Sequence, residues 1–504
     1  MLFSDGIGGS FIQLPALTPV AAITLLALLL RLPGLDESVF GDELFTYEIA
    51  TRPGFGDMLH GVTGPLEISP PLYFALAWLC AKLGDPHVWI RVPALVAGVA
   101  LVPATYALGV RTVGRAAALI GAGVVALSPF AIYYSSEARA YSLTTLLVVL
   151  AALALLAAVE DGGWARWGLF ALAACAALYS HYTAIFALAA EVAWAAWAHR
   201  GRVRELALAC AAAAAGVVPW VPSFLDDRTA GFQTAIENIN PLTLSFFSRS
   251  LGIAVIGNPY VSLRETPGRA VVALLAVGLL LAVTGAVAAR GELVARVRAE
   301  PRLVLVVALA AATPLGAALY SIPFASVYVP RTLHASLPAF CLVVGALVAG
   351  SPRRLALPAA ALVTVALALG TVALLREPPK PPYRQAADWI AERSRPGDPV
   401  LQVGLIDYGS LDLHLEQPFE LYKQGCEQPT TEPGQILTAG IDCTGGDEGF
   451  ERALGGARER VMVVTYGSAG RLDVPGLSDG FRRVSSRLFD HGQFPIEVRE
   501  FARR

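Results

Sequence analysis

The chain has 504 residues, of which 55% are hydrophobic and 15% charged, against roughly 25% charged in soluble domains. That balance excludes a single water-soluble core and describes a polytopic α-helical membrane protein. A formal net charge of −2 argues against a nucleic-acid partner.

Helix-spanning apolar runs need about 20 residues. Eleven are placed at 14–31, 89–110, 115–134, 142–159, 167–179, 183–198, 205–222, 269–289, 303–320, 333–350 and 355–375. No cleavable signal is expected, because no Lys or Arg precedes Arg31 and no small-residue cleavage site follows the first run. The apolar stretch 70–83 is too short to cross and reads as an interfacial helix, as does 242–256. With a cytoplasmic N-terminus, the cytoplasmic loops then hold Arg111 and Arg115, Arg166, Arg200, Arg202 and Arg204, Arg290 to Arg302, and Arg353 and Arg354. This satisfies the positive-inside rule. Counting 70–83 as a span would reverse every later loop. The expected location is therefore the plasma membrane, with the segments 32–88, 135–141, 223–268, 321–332 and the tail after Arg376 extracytoplasmic.

Three regions follow from the composition: a transmembrane domain over 1–375, a linker over 376–382, and an extracytoplasmic α/β domain over 383–504. The linker is Glu377-Pro378-Pro379-Lys380-Pro381-Pro382, a stiff spacer. Beyond it, 383–395 has a helical pattern, and 400–403, 461–465 and 496–498 read as strands. Cys80, Cys175, Cys210 and Cys341 sit in apolar runs as small core residues. Cys426 and Cys443 lie in the tail without CxxC spacing, so a disulfide between them is expected there rather than zinc.

No nucleotide or metalloprotease motif is present. The candidates for chemistry are polar residues at the membrane edge, all on one side. Asp42 and Glu43 follow the first span, with Tyr47 a turn later. A helix cap would explain Asp42 but needs no second acid; a general base facing an acceptor hydroxyl is the other reading. Ser69-Pro70-Pro71-Leu72-Tyr73 opens the interfacial helix, with Pro suited to a first turn. Glu137 and Arg139 lie in Tyr133-Tyr134-Ser135-Ser136-Glu137-Ala138-Arg139-Ala140-Tyr141. They form either an ion pair, or an acid beside an acceptor or metal and an arginine for a phosphate. His181 and Tyr182 sit in a tight loop, and Tyr328 and Arg331 precede the tenth span. An Arg there opposes the charge bias of its side. Carboxylates can deprotonate a hydroxyl, and guanidinium groups can hold a phosphate and its developing charge. A site on that face has no nucleotide supply, so an activated group must arrive on a lipid carrier.

An acidic pair after span one, then SPPLYF, then YYSSEARAYSL, then a late Tyr-x-x-Arg resembles the C-type (GT-C) membrane glycosyltransferases. The closest group is the protein O-mannosyltransferase-like family, which includes the aminoarabinose transferases. The resemblance covers roughly 14–375. It implies an inverting transfer of a monosaccharide from a polyprenyl-phosphate donor to an extracytoplasmic glycan, lipid or protein. Asp42 would be the base and Glu43 its assistant, with Arg139 and Arg331 at the donor phosphate. Tyr47, Tyr73, Glu137, His181, Tyr182 and Tyr328 would line the acceptor side. It leaves room for a divalent cation, Mg or Mn, on Asp42 and Glu137. The Lys that precedes the Pro pair in aminoarabinose transferases is absent, so lipid A is not implied as acceptor. Two rival readings are a flippase for lipid-linked sugars and a glycan-binding scaffold. A flippase would need ionisable residues at mid-membrane, where Glu191 is the main example.

Overall fold

A computed structural model describes residues 17–64, 67–229, 243–257, 262–291, 300–324, 326–404, 409–415, 419–424, 429, 448–466, 474–490 and 494–504. Helices stand at all eleven expected positions. Among the described residues, eight are long and apolar enough to cross a membrane, and a ninth counts if one bent pair is a single span. That pair is Arg115–Leu127 and Pro129–Ser135, bent by 60°. The bend has a local cause: the Ser128 side chain accepts from the Ala131 amide and Pro129 opens the new helix, a helix start in mid-run. The remaining two, Trp164–Ser180 and Ala184–Ala198, are shorter. Both pack along Tyr141–Asp161.

The stretch expected at the interface is the helix Leu72–Ala81, only 10 residues, or ~15 Å, half the hydrocarbon thickness. It therefore does not change the direction of the chain. Contacts at the two ends of the bundle agree. At one end Glu160 joins Arg111 at 2.6 Å and Arg302 at 3.0 Å. Asp161 and Arg166 pair nearby. At the other end the loops after the first, third and ninth spans meet, and the chain leaves the last helix, Arg353–Arg376, beside them. The second expected interfacial helix is Leu244–Ile256, capped by the Thr243 hydroxyl.

After Arg376 the chain builds a five-stranded sheet in the order β2-β1-β3-β5-β4. β1 (Pro399–Val403) is parallel to β2 (Glu420–Lys423) and to β3 (Arg460–Tyr466). β5 (Ile496–Arg503) runs antiparallel to β3 and β4 (Phe481–Phe489). The helix Tyr383–Ala391 covers one face with Ala386, Trp389 and Ile390. The helix Glu448–Gly456 covers the other with Phe450 and Ala453. The expected strands at 400–403, 461–465 and 496–498 lie inside β1, β3 and β5. Cys426 and Cys443, expected to be bridged, lie outside the described residues.

Within the bundle, small residues let backbones close up. A Cβ on Gly345 would overlap the Ala117 carbonyl oxygen and lie 3.0 Å from the Gly121 amide. Both neighbours are backbone and cannot step aside. Gly345→Ala is therefore expected to cost about 1–3 kcal/mol and lower the unfolding midpoint in detergent. Gly123→Ala, which meets nothing within 4 Å, should leave it unchanged.

Candidate active site

The site begins with a strap, residues 36–41, between the first span and the helix Asp42–Ala50. Gly41 stands at the N-cap with φ +58° and no side-chain cap bond, a backbone shape that suits glycine. Asp42 thus enters as the first helical residue and does no capping. Its carboxylate lies 3.7 Å from the Arg331 guanidinium, and both side chains are about one-third exposed (34% and 33%). Burial pushes the Asp42 carboxyl up, but Arg331 and Arg139 outweigh it and hold it below the ordinary carboxylate range.

Glu43 points the other way, into the protein, and is fully buried. Arg91 grips it with two bonds of 2.8 and 2.7 Å. Lys380 adds a third at 2.8 Å and the Ala138 amide a fourth at 2.7 Å. Burial opposes its charge, yet Arg91 and Lys380 keep the carboxyl down at about 2. The carboxylate expected to assist the base is therefore sealed among these partners. Its adjacency to Asp42 in sequence hid this, since neighbours on a helix point about 100° apart.

Arg139 reaches the site but is occupied. Its terminal nitrogens hold Glu67 at 2.7 and 3.2 Å, and one donates to the Ser69 hydroxyl at 3.1 Å. Of the two arginines expected at a phosphate, Arg331 is the accessible one. Glu137 is buried, and its Oε2 has no hydrogen-bond partner among the described residues. Burial, helped by Glu43 and Asp42 and opposed by Lys380, pushes it up to about 8. It is a neutral acid near pH 7. His181 accepts the Thr183 amide on Nδ1, so its neutral ring carries the proton on Nε2. Burial and the charges of Arg139 and Arg331 lower it to about 3.

The tyrosines divide. Tyr73 is buried and donates to the Ile90 carbonyl, and Tyr328 is buried against Phe247 at 4.8 Å. Tyr182 accepts the Trp220 indole and packs on Phe224, while Tyr47 packs on His87. Tyr73 also lies within electrostatic reach of Glu43, Arg139 and Glu137. Sequence reasoning missed Glu67, Arg91 and Lys380. A signal existed for the last: Lys is rare in this chain, and one of three sits in the linker. Glu191, the mid-span acid, is buried in Ala184–Ala198 with both oxygens unpartnered among the described residues.

Among the described residues no three His, Cys, Asp or Glu side chains gather to hold a metal. Asp42 faces Arg331, and Glu137 keeps one oxygen unpartnered among the described residues.

The fold is that of the C-type membrane glycosyltransferases. ArnT from Cupriavidus metallidurans, solved with undecaprenyl phosphate bound, superposes with a TM-score of 0.55 at 14% identity, over 96% of this chain and 97% of that one. The archaeal oligosaccharyltransferase AglB from Archaeoglobus fulgidus, solved with an inhibitory peptide and a dolichol-phosphate, gives 0.50 at 12% identity, over 90% of this chain and 70% of that one. No curated protein matches the chain by sequence. Residues 69–224 match the family described as dolichyl-phosphate-mannose-protein mannosyltransferase. The superpositions show a shared fold, and the family match covers 69–224, under a third of the chain. The matched segment opens on Ser69-Pro70-Pro71 and includes Glu137 and Arg139.

One contact at the edge of the site is sensitive to acid. His414 accepts the Val39 amide on Nε2 at 3.2 Å and faces His87 at 5.0 Å between ring centroids. Burial lowers it to about 3, with His87, Arg91 and Arg384 adding to the effect and Asp85 opposing it. The docked state thus binds fewer protons than the free one. Its stability is complete above about pH 6.5 and is lost progressively as pH drops toward 3. Hydrogen exchange at Val39 and Phe40 should accelerate between pH 7 and pH 4.5. In His414→Gln, which keeps an acceptor, that pH dependence should flatten.

Proposed function

We propose that the chain is an inverting glycosyltransferase that moves a monosaccharide from a polyprenyl-phosphate donor to an acceptor hydroxyl on the extracytoplasmic face. The observation that carries this is the meeting of Asp42 and Arg331, 289 positions apart in sequence and 3.7 Å apart in space, at the end of the bundle opposite the arginine-rich loops. The positive-inside rule makes the arginine-rich end cytoplasmic, which puts the site and the sheet domain outside. The lipid phosphates held by ArnT and AglB support a polyprenyl carrier.

The step needs little from the protein. The Asp42 carboxylate, kept ionised by its arginines, takes the acceptor proton as that oxygen attacks the anomeric carbon from the face opposite the phosphate. The bond from that carbon to the phosphate oxygen breaks, and the leaving polyprenyl phosphate carries its charge to Arg331. Glu137, protonated at neutral pH, offers a hydrogen bond rather than a second negative charge. His181 offers its Nε2 proton on the same side. Among the described residues no group of three metal-ligating side chains gathers.

The experiment is turnover of the purified protein in lipid vesicles, with a panel of polyprenyl-phosphate sugars and acceptor glycans, lipids and peptides. One donor should be consumed, and the product should show inverted anomeric configuration by NMR. Asp42→Asn should lower kcat by about 10²–10⁴-fold. Arg331→Met should weaken both donor binding and turnover. Wild-type turnover in Asp42→Asn, or retained configuration, would overturn the reading.

A further inference from the structure

The strap that delivers Asp42 is held almost residue by residue from the far end of the chain. Asp36 pairs with Arg384 at 2.6 Å. The Ser38 hydroxyl accepts the Arg384 amide at 3.1 Å, and the Val39 amide donates to His414. Phe40 is buried in the core of the sheet domain beside Trp389 and Phe489. Glu43 takes Lys380. Residues 36–43 therefore belong to two bodies at once, the membrane bundle through Arg91 and the sheet domain through these contacts.

Lys380 is the most constrained of these partners. Its ammonium lies 2.8 Å from Glu43 and 3.9 Å from Glu37, with 2% of its side chain exposed. Lysine is almost never buried without a charge partner. The prolines flanking it, Pro379 and Pro381, stiffen the approach, so the linker presents Lys380 at a set position and is no flexible tether.

We infer that Lys380 is a positioning residue for Asp42: through Glu43 it locks the strap, so that the sheet domain sets the reach of the base toward the acceptor. This rests on the reading of Asp42 as the base. The sheet domain is then a working part of the membrane enzyme and not merely a glycan-binding appendage. Loss of the lock lets Asp42 drift from the attacking oxygen while leaving Arg331, on another loop, in place.

The test uses full-length Lys380→Met and Lys380→Arg in lipid nanodiscs, read by kinetics and by hydrogen exchange over residues 36–44. Lys380→Met should lower kcat by about 10–100-fold, the scale of a ~1 Å misplacement, with the donor KM within about threefold. Exchange over the strap should accelerate. Lys380→Arg, which keeps the charge, should recover most of both. If Lys380→Met loses the fold, Lys380→Gln keeps a donor for Glu43 without the charge and gives the same two readouts. Wild-type kcat with unchanged strap exchange in the neutral variant would overturn the inference. So would a rise in donor KM with kcat intact. Should Asp42→Asn prove fully active, the base reading fails on its own, and strap exchange alone then decides whether Lys380 positions the segment.

Discussion

A single carboxylate with no access to water organises this end of the molecule. Glu43 cannot be charged in a dry site without compensation, and the chain supplies it from three directions. Arg91 comes from the start of the second span, Lys380 from the linker, and an amide from the loop at Ala138. Each partner is itself tied down. The Arg91 guanidinium also donates to the carbonyls of Leu35, Glu37 and Ser38, so one side chain holds both the anchor and the strap leading to it. Removing one partner of such a buried set typically costs about 3–5 kcal/mol, a large share of a protein's net stability. The strap is therefore rigid by charge, and Gly41 is the point where it turns to expose the next residue.

The bilayer supplies the second constraint. Helices that cross it must alternate direction, so loops separated by an even number of crossings share a face. Residues from the first loop, the loop at 136–140, the loop at 181–183 and the approach to Leu337–Gly350 can only converge if no extra crossing intervenes. The helix Leu72–Ala81 is too short to be one, and the pairs Arg331–Asp42 and Arg139–Glu67 agree with an even number of crossings between the loops they join. The arginines of the opposite end pair with Glu160 and Asp161.

These two constraints explain what the residues disclosed in advance. Apolar runs over 269–289 or 355–375 announce helices because a lipid-facing segment must satisfy every backbone group internally. The sheet strands β1 and β3 were visible as short apolar runs. β4 was not, because its pattern of arginines and serines is that of an exposed edge strand. Some of the proximity was legible: Asp42 and Arg331 meet, and Glu137 and His181 lie within electrostatic reach of them. Their roles were not, because role depends on which way a side chain points and on what it meets. Glu43 and Asp42 are chemically alike and adjacent, yet one is sealed and the other accessible. Arg139 looked like a phosphate ligand until Glu67, 72 positions earlier, proved to hold it. Long-range pairings of this kind leave no local trace in composition or period.

The contrast between the two ion pairs bears on how the base is switched. Arg91–Glu43 is sealed and hard to break. Arg331–Asp42 sits at 3.7 Å with each side chain a third exposed, the type of contact worth about 0–1 kcal/mol. On the proposed reading a donor phosphate, with more charge and better bidentate geometry than one carboxylate oxygen at that distance, competes with Asp42 for Arg331. Once Arg331 turns to phosphate, one of the charges that depress Asp42 is neutralised, and its carboxyl becomes more basic. On the proposed reading the base is therefore weakest while the site is empty and strengthens as the donor arrives. Such an order suits an enzyme whose nucleophile must not be activated before there is a sugar to receive it.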